Sequence, residues 1–295
     1  AVLTAPPGAG KSTRVPLALL EAGVCAGEIV LLQPRRLAAR AVARRMAHCL
    51  GEAPGRRVGY RVRFEDRSCD ATRVLVVTEG ILTRRLLADP LLEGVDCVIL
   101  DEFHERSVHA ELALCFLREL MRARDDLRVV VMSATLETGA LGTFLGGCPV
   151  IRCEARQHPL QVWHLERPDR RPLAEQVYSG LLRLLGDPAD DGGDVLVFLP
   201  GAAAIRAVRE RLAQVGLPGG PELVPLHGGL PAADQDRALS RRGEQRRVVL
   251  ATNIAETSLT VPGVTAVLDS GRVKRPRFDP RTGLDRLEPG TICQD

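Results

Sequence analysis

Short apolar runs rich in β-branched residues recur along the chain, and stretches with helical periodicity lie between them. In the first half, the apolar runs predict strands at Glu28–Gln33, Arg73–Thr78, Val95–Leu100, Arg128–Met132 and Val150–Cys153. The periodic stretches predict helices over Lys11–Ala22, Arg36–Leu50, Gly80–Leu87 and Ala110–Arg124. Strands that alternate with helices are typical of βαβ units, so the pattern predicts an α/β fold with a mainly parallel sheet.

A second series of apolar runs follows the first. It predicts strands at Asp194–Leu199, Leu223–Leu226, Arg247–Ala251 and Val264–Asp269. The segment Asp187–Gly193 is rich in Asp, Pro and Gly, and it is predicted to be a loop inside this second half. We place a boundary near Glu154–Pro159, which gives two domains, residues 1–155 and residues 156–295.

The composition fits two globular domains. The 295 residues are 45% hydrophobic, which is enough apolar material for a large core. A net charge of +3 gives no strong overall field, so basic residues must be judged by where they cluster. Aromatic residues make up only 3% of the chain, which argues against recognition by rows of stacked rings.

The cysteines and the apolar runs bear on the cellular setting. No CxxC pair occurs among the eight cysteines, so disulfides and zinc are not expected, and reduced thiols fit a cytoplasmic protein. No apolar run reaches about 18 residues and no signal peptide is visible, so no membrane contact is expected. Ala1 already lies in a strand-like run, so we expect the natural chain to begin further upstream.

A glycine-rich segment connects a first strand, Val2–Thr4, to the first predicted helix. Glycines let the backbone wrap around phosphate oxygens, and the N-terminus of the following helix points N–H groups at an anion. In this context Lys11 should reach the β- and γ-phosphates of ATP, and the Ser12 hydroxyl should bind Mg²⁺. The candidate phosphate-binding residues are Gly8, Ala9, Gly10, Lys11, Ser12 and Thr13. Ala5 stands where the strict pattern has its first glycine, and the alternative is a strand–helix turn that binds nothing.

Two carboxylates follow the predicted buried strand Val95–Leu100. The C-terminal ends of parallel strands face the ligand crevice, so Asp101 should lie beside the glycine-rich segment and hold Mg²⁺ through water. Glu102 is placed to accept a proton from the attacking water, and His104 and Arg106 could bridge to the neighbouring domain. We assign catalytic roles to Lys11, Asp101, Glu102 and His104. For the acidic pair taken alone, the alternative is a helix N-cap followed by a first-turn charge.

Four segments occur in the order found in DEAH-box helicases of superfamily 2. They are Gly8–Thr13, Asp101–His104, Ser133–Thr135 and Ala251–Thr260. The last of these is very specific, since no common structural requirement explains ten residues of that composition. Over almost its whole length the chain resembles this family, and Phe103 together with Gln33–Arg40 is similar to the bacterial HrpB type.

The resemblance implies two RecA-like domains, each a mainly parallel sheet flanked by helices, with ATP bound in the cleft between them. It implies that Ser133 and Thr135 couple hydrolysis to domain movement, and the alternative is an ordinary cap at a strand–turn junction. Ser258 and Thr260 match positions near the γ-phosphate. Arg45 matches a position that packs on the nucleotide base.

The resemblance also implies binding of single-stranded RNA without sequence preference, with DNA as the alternative. Arg36, Thr78 and Thr252 match positions that touch the RNA backbone, and Asn253 is assigned with them because it adjoins Thr252. The segment His227–Leu230 is predicted to form a turn before a helix, and in the family this loop comes near the RNA strand.

Two basic segments leave alternatives open. Arg36, Arg40 and Arg44 recur every four residues, so they share one helix face that is either a nucleic-acid surface or simply solvated. The run Arg272–Arg277 is either a loop that grips nucleic acid or plain surface.

Two features depart from the family pattern. Pro262 stands where the family usually has an acidic residue that holds the ribose. The glutamine and paired arginines that contact the γ-phosphate in the family are not found between Thr260 and Asp295, and neither are the winged-helix, ratchet and oligonucleotide-binding domains. We therefore expect this chain by itself to bind Mg-ATP and to hydrolyse it weakly.

The sequence thus predicts an ATP-dependent RNA helicase, in which ATP hydrolysis drives movement along nucleic acid or its unwinding. One alternative is a translocase that moves without unwinding, and another is a fragment that binds nucleotide and RNA without turnover. A nucleotide kinase is a more distant alternative, because it would not need the segment Ala251–Thr260.

Overall fold

The computed structural model describes residues 1–134, 139–154, 159–187, 190–240, 243–256 and 260–292. The chain divides into two compact units, Ala1–Pro159 and Leu160–Asp295. The predicted boundary between residues 155 and 156 falls outside the described ranges and stays a prediction. None of the helices within these ranges combines the length and apolar character needed to cross a bilayer.

The first unit is an eight-stranded sheet with helices on both faces. Its strands are β1 (Val2–Thr4), β2 (Glu28–Gln33), β3 (Val58–Val62), β4 (Glu65–Arg67), β5 (Val74–Thr78), β6 (Val95–Leu100), β7 (Arg128–Ser133) and β8 (Val150–Arg152). Its helices are α1 (Lys11–Glu21), α2 (Arg36–Cys49), α3 (Glu79–Ala88), α4 (Val108–Ala123) and α5 (Gly139–Phe144), with a 3₁₀ turn at Phe103–Glu105. The strand order is β4-β3-β5-β2-β6-β7-β1-β8, and every neighbouring pair is parallel except β3 and β4.

The central strands are continuous apolar runs because both faces of the sheet are covered. In β2, Val30 and Leu32 belong to the core that contains α3 and α4, whereas Ile29 and Leu31 belong to the core that contains α1 and α2. All four side chains are almost completely buried. Burying each one contributes about 1.5–3 kcal/mol, so a charge at any of these positions would strongly destabilise the unit.

The second unit is a smaller parallel sheet followed by a hairpin. Its elements are α6 (Leu173–Leu185), β9 (Asp194–Phe198), α7 (Ala202–Val215), β10 (Glu222–Leu226), α8 (Ala232–Leu239), β11 (Arg247–Ala251), β12 (Val264–Asp269), β13 (Arg272–Asp279) and β14 (Leu284–Thr291), with a 3₁₀ turn at Asn253–Ala255. The sheet order is β10-β11-β9-β12, with all pairs parallel, and β13 pairs antiparallel with β14. Leu181 of α6 and Ile205 of α7 share a core with Val197 and Leu250 of the sheet.

A buried ion pair joins two strands of this second sheet. The Arg247 guanidinium lies 2.7 Å from an Asp194 carboxylate oxygen, and both side chains are almost fully buried. Asp194 also accepts a hydrogen bond from the backbone N–H of Arg247. The guanidinium donates further to the carbonyl oxygens of Ala238, Ser240 and Pro262, so its donors are well satisfied without water.

The predicted fold class is confirmed, and each predicted strand and helix is present with ends that are identical or differ by at most two residues. Helices α5, α6 and α7 and two hairpins were not predicted. The β3–β4 hairpin is short, and β13–β14 carries charged residues on exposed faces, so neither has a long apolar run. The alternative of a loop at Arg272–Arg277 is wrong, because this segment lies within β13.

The predicted basic face of α2 is not uniformly exposed. Arg36 is exposed, but Arg40 is buried, and its Nε lies 3.6 Å from Oε2 of Glu65 in β4. Glu65 also accepts a hydrogen bond from the Tyr60 hydroxyl at 2.6 Å. A solvated face is therefore the wrong interpretation at Arg40, because this arginine anchors the β3–β4 hairpin to α2.

Candidate active site

The glycine-rich segment turns directly from β1 into α1. Gly8 and Gly10 have φ angles of 78° and 79°, which lie in the left-handed region that residues with a Cβ rarely adopt. Gly10 is the N-cap of α1 and has no side chain with which to cap it. The N–H groups of Lys11 and Ser12 lie in the first turn and have no carbonyl partner within the helix, so they point toward the loop.

Asp101 lies at the C-terminal end of β6 and is 2% exposed. Its Oδ1 accepts the backbone N–H of Glu102 at 2.9 Å, and its Oδ2 accepts the side-chain amide of Gln33 at 2.5 Å. The Ser12 hydroxyl of α1 lies close enough to this carboxylate to stabilise its charged form. Burial raises the pKa of Asp101, and these donors together with the Lys11 charge oppose that rise.

Glu102 and Lys11 face each other beside Asp101. The Lys11 Nζ lies 4.0 Å from Glu102 Oε2, and both side chains are less than a tenth exposed. Burial, followed by the charge of Asp101, raises the pKa of Glu102 to about 7, although Lys11 opposes the rise. Glu102 therefore has the proton affinity that suits a general base near neutral pH.

Glu102 also has an unusual backbone conformation. Its φ angle is 52°, which is uncommon for a residue with a long side chain. It precedes the 3₁₀ turn without making a side-chain cap to it. The alternative of an ordinary N-cap is thus not what the structure contains, and the left-handed backbone instead lets the side chain turn toward Lys11.

His104 connects Glu102 to the end of β7. Its Nδ1 accepts the backbone N–H of Ala134 at 3.2 Å, and its Nε2 lies 3.4 Å from Glu102 Oε2. Burial, with the nearby Lys11 charge, lowers the pKa of His104, so the ring is neutral at neutral pH. Because Nδ1 accepts a hydrogen bond, the single proton of the neutral ring is on Nε2, where it faces Glu102.

A second contact joins the ends of β2 and β6. The Arg35 guanidinium lies 3.6 Å from the Glu105 carboxylate, and both side chains are about a quarter exposed or less. Gln33 and Arg35, two residues apart, therefore contact Asp101 and Glu105, four residues apart. The end of one strand is held against the end of its neighbour at the edge where parallel strands bind ligands.

The residues around Asp101 fit a magnesium ion. Mg²⁺ prefers hard oxygen ligands, and in nucleotide sites it is held by one or two protein groups while it keeps water and phosphate oxygens. The Ser12 hydroxyl and the Asp101 carboxylate lie near each other beside the helix N-terminus. The chemistry of these two oxygen-bearing side chains therefore suits a magnesium ion.

The structure brings five of the predicted site residues together, namely Lys11, Ser12, Asp101, Glu102 and His104. The other predicted site residues lie elsewhere or outside the described ranges. In the first unit, Ser133 is buried at the end of β7, Thr78 is half-buried at the N-terminus of α3, and Arg36 and Arg45 are exposed on α2. In the second unit, Thr252, Asn253 and Thr260 follow β11, with Thr252 half-buried and the other two exposed. Thr135 and Ser258 lie outside the described residues.

Two residues at the centre of this arrangement had no predicted role. Gln33 contacts Asp101 and Arg35 contacts Glu105, although both were present in the segment used for the family resemblance. A signal was available for Gln33, because it is a polar residue at the C-terminal end of an otherwise apolar parallel strand. The sequence contains no comparable signal that Arg35 faces Glu105.

Comparison with known families covers most of the chain. Residues 1–141 match the family model described as DEAD/DEAH box helicase. Residues 176–280 match the model described as helicase conserved C-terminal domain.

Curated and solved proteins show the same similarity over the whole chain. The chain is 46% identical over 99% of its length to the ATP-dependent RNA helicase HrpB of Escherichia coli, of which it spans 36%. It is 36% identical over 97% of its length to the human ATP-dependent RNA helicase DHX33, of which it spans 42%. The crystal structure of the Escherichia coli DEAH/RHA helicase HrpB superposes with a TM-score of 0.89 at 45% identity, covering all of this chain and 37% of that one.

Proposed function

Because the chain belongs to the DEAD/DEAH box helicases, and its two units are RecA-like domains, we propose that it binds Mg-ATP and supplies the ATPase centre of an RNA helicase. The chain spans about two fifths or less of the curated relatives that it matches, so the helicase activity belongs to this proposal. The relatives are ATP-dependent RNA helicases by name, which supports ATP and RNA as ligands here.

The observation that carries the proposal is the meeting of four side chains at one edge of the first sheet. Ser12 lies beside Asp101, and Lys11 faces Glu102, although the two members of each pair are about ninety residues apart in sequence. Phosphoryl transfer needs a loop that binds the phosphates, a pair of groups that hold a metal ion, and a base of suitable pKa. An ordinary strand–helix turn has no need of a buried lysine or of two buried carboxylates.

Each residue has a distinct role in the proposal. The N–H groups of the first turn of α1 and the Lys11 ammonium bind the β- and γ-phosphates. Ser12 and Asp101 hold Mg²⁺, which when bound neutralises charge on the phosphate oxygens. Glu102 accepts a proton from the attacking water. His104, with its proton on Nε2, orients the Glu102 carboxylate.

The His104 bridge also supports a coupling role for the Ser133–Thr135 segment. Ala134 lies within that segment, and its N–H is bound to the same imidazole that faces Glu102. A shift of the segment would therefore move the ring that orients the base. We assign Ser133 and Thr135 to coupling, Ser258 and Thr260 to the neighbourhood of the γ-phosphate, and Arg45 to packing on the base.

Replacing Lys11 by alanine is expected to weaken nucleotide binding about 10- to 150-fold. This range corresponds to the loss of a charge-assisted contact of about 1.5–3 kcal/mol. Titration of a fluorescent ATP analogue in the presence of Mg²⁺ measures the affinity. The chain's other lysine, Lys274, is exposed on β13, and Lys274→Ala is the matched control that should bind like the wild type. Equal affinities for the Lys11 variant and the wild type would remove the basis for a phosphate site here.

RNA contacts are proposed at the same edge of the first sheet. Gln33 and Thr78 are paired across β2 and β5, and Arg36 begins the helix that follows β2. Arg36 is exposed and Thr78 is half-buried, so a guanidinium and a hydroxyl are available along the ends of neighbouring strands. Thr252 and Asn253 are the corresponding candidates in the second unit. Such groups contact phosphates and sugars, which positions a strand without reading its sequence.

Binding of single-stranded RNA should therefore weaken as salt increases and should depend little on sequence. For a single strand, each phosphate contact contributes a slope of about −0.7 in log K against log salt. Arg36→Ala should reduce the magnitude of that slope by roughly this amount. Arg122→Ala changes an exposed arginine on α4, across the sheet from α2, and should leave the slope unchanged. Fluorescence anisotropy with unrelated oligonucleotides tests this, and a strong preference for one sequence would contradict it.

A further inference from the structure

Gln33 is the polar side chain that lies deepest beside the proposed metal-binding residues. It is 0% exposed at the C-terminal end of β2. Its amide nitrogen donates to Asp101 Oδ2, whereas its amide oxygen is buried and, among the described residues, has no hydrogen-bond partner. The reversed amide orientation would place a carbonyl oxygen against a carboxylate, so the contact with Asp101 fixes which way the amide points.

Packing alone does not explain an amide at this position. The preceding four residues of β2 are apolar and almost fully buried, so an apolar side chain would suit the strand. An unpaired buried acceptor typically costs about 1–3 kcal/mol, so the Gln33 carbonyl oxygen reduces stability rather than adding to it. The position therefore keeps a side-chain amide that folding does not require. Among the described residues, the hydrogen bond of this amide goes to the Asp101 carboxylate.

The neutral amide also suits a residue that supports a metal ligand. An arginine or lysine here would compete with a cation for the carboxylate, whereas an amide N–H orients the carboxylate and leaves its negative charge in place. Glu102 N–H holds Oδ1 and Gln33 holds Oδ2, so each oxygen of Asp101 has its own fixed donor. Pro34 follows directly and restricts Gln33 to extended backbone, which fixes the origin of the side chain.

We propose that Gln33 is a positioning residue that orients the Asp101 carboxylate for Mg²⁺ and thereby sets the Mg²⁺ concentration needed for tight nucleotide binding. The inference rests on the proposed function, because it takes Asp101 as the group that holds the metal. It goes beyond that function in making metal affinity depend on a strand residue that touches neither phosphate nor metal.

The test uses Gln33→Met, which keeps nearly the same volume and removes the donor. A fluorescent ATP analogue is titrated with MgCl₂, and the Mg²⁺ concentration at half-maximal binding is measured. Loss of a group that orients a metal ligand typically weakens metal affinity about 10- to 100-fold, so we expect that concentration to rise by a similar factor. Binding of the same analogue in excess EDTA should stay at the wild-type level, because the phosphate loop is untouched.

A matched control is available on a neighbouring part of the same sheet. Thr4, at the end of β1, is 3% exposed, and its hydroxyl is likewise buried without a hydrogen-bond partner in the described part of the chain. Thr4→Val should leave the Mg²⁺ dependence unchanged.

In an Asp101→Asn background, Gln33→Met should have no additional effect, because Gln33 acts through the Asp101 carboxylate. If Gln33→Met does not fold, Gln33→Asn tests the same contact, because its amide is one methylene too short to reach Asp101.

The possible results separate this inference from the function on which it rests. If the wild type binds the analogue in a Mg²⁺-dependent way and Gln33→Met shows the same Mg²⁺ dependence, the positioning role is wrong and the proposed function stands. If the wild type itself does not bind the analogue with Mg²⁺, the proposed function is wrong. A raised Mg²⁺ requirement that persists in the Asp101→Asn background would also overturn the inference, because Gln33 would then act by another route.

Discussion

Replacing Glu102 by glutamine is expected to lower the rate of ATP hydrolysis by about 10²–10⁴-fold while nucleotide affinity stays close to that of the wild type. The amide keeps the size and shape of the side chain but cannot accept a proton from water. The Lys11 ammonium, the Ser12 hydroxyl and the N–H groups of α1 remain, so the phosphates are still bound. Phosphate release with RNA present measures the rate, in a longer form of the protein that turns over, and titration of a fluorescent ATP analogue measures the affinity.

Glu105→Gln is the matched control for this substitution. Glu105 is the last residue of the 3₁₀ turn that Glu102 precedes, and its carboxylate pairs with Arg35 rather than with Lys11. Its removal should change the rate by less than about tenfold, which corresponds to roughly 1.4 kcal/mol in the barrier. If Glu102→Gln still hydrolyses ATP within that limit, another group must take the proton.

The pH dependence of hydrolysis offers a second measurement of the same role. Burial and the charge of Asp101 raise the pKa of Glu102 to about 7. A general base must be deprotonated before it can accept a proton, so the rate should increase as the pH rises through this value. Between about pH 6 and about pH 8 we expect a roughly tenfold increase in the wild type. The Glu102→Gln variant should lack this increase, because it has no carboxylate to titrate.

Replacing Asp194 by alanine is expected to lower the free energy of unfolding of the second unit by about 3–5 kcal/mol. The substitution leaves the Arg247 guanidinium, which is 4% exposed as a side chain, without its carboxylate in an apolar interior. It also removes the acceptor for the Arg247 N–H between β9 and β11. Urea denaturation followed by circular dichroism measures the loss. Hydrogen exchange should place it in residues 160–295.

An exposed ion pair in the same unit provides the control. Arg277 and Glu288 are 3.1 Å apart across β13 and β14, and both side chains are at least half exposed. Because water already solvates these charges, Glu288→Gln should change stability by only about 0–1 kcal/mol. Adding Arg247→Met to Asp194→Ala should cost less than the sum of the two single changes, because the unpaired buried charge is gone. Similar losses for Asp194→Ala and Glu288→Gln would show that burial does not govern the Asp194 pair.

The sequence alone was enough to predict most strands of the two parallel sheets, the four long helices of the first unit and the local motifs. Continuous apolar runs identify strands buried on both faces, and the glycine-rich segment between β1 and α1 identifies a phosphate loop, because each depends only on neighbouring residues. The rule that parallel strands end at one edge then predicted that Asp101 would lie beside Ser12. The structure brings the Ser12 hydroxyl close enough to Asp101 to stabilise its carboxylate.

Only the tertiary structure decided which distant side chains meet. Gln33 and Asp101 are 68 residues apart in sequence, His104 and Ala134 are 30 apart, and Asp194 and Arg247 are 53 apart. Periodicity indicates toward which face a side chain points, but strand order and register decide what lies opposite it. Arg40 shows the difference, since helical spacing put it on a basic face and the β3–β4 hairpin then buried it against Glu65. The sequence could not predict the raised pKa of Glu102 either, because this pKa depends on how completely folding removes water from Glu102 and Asp101.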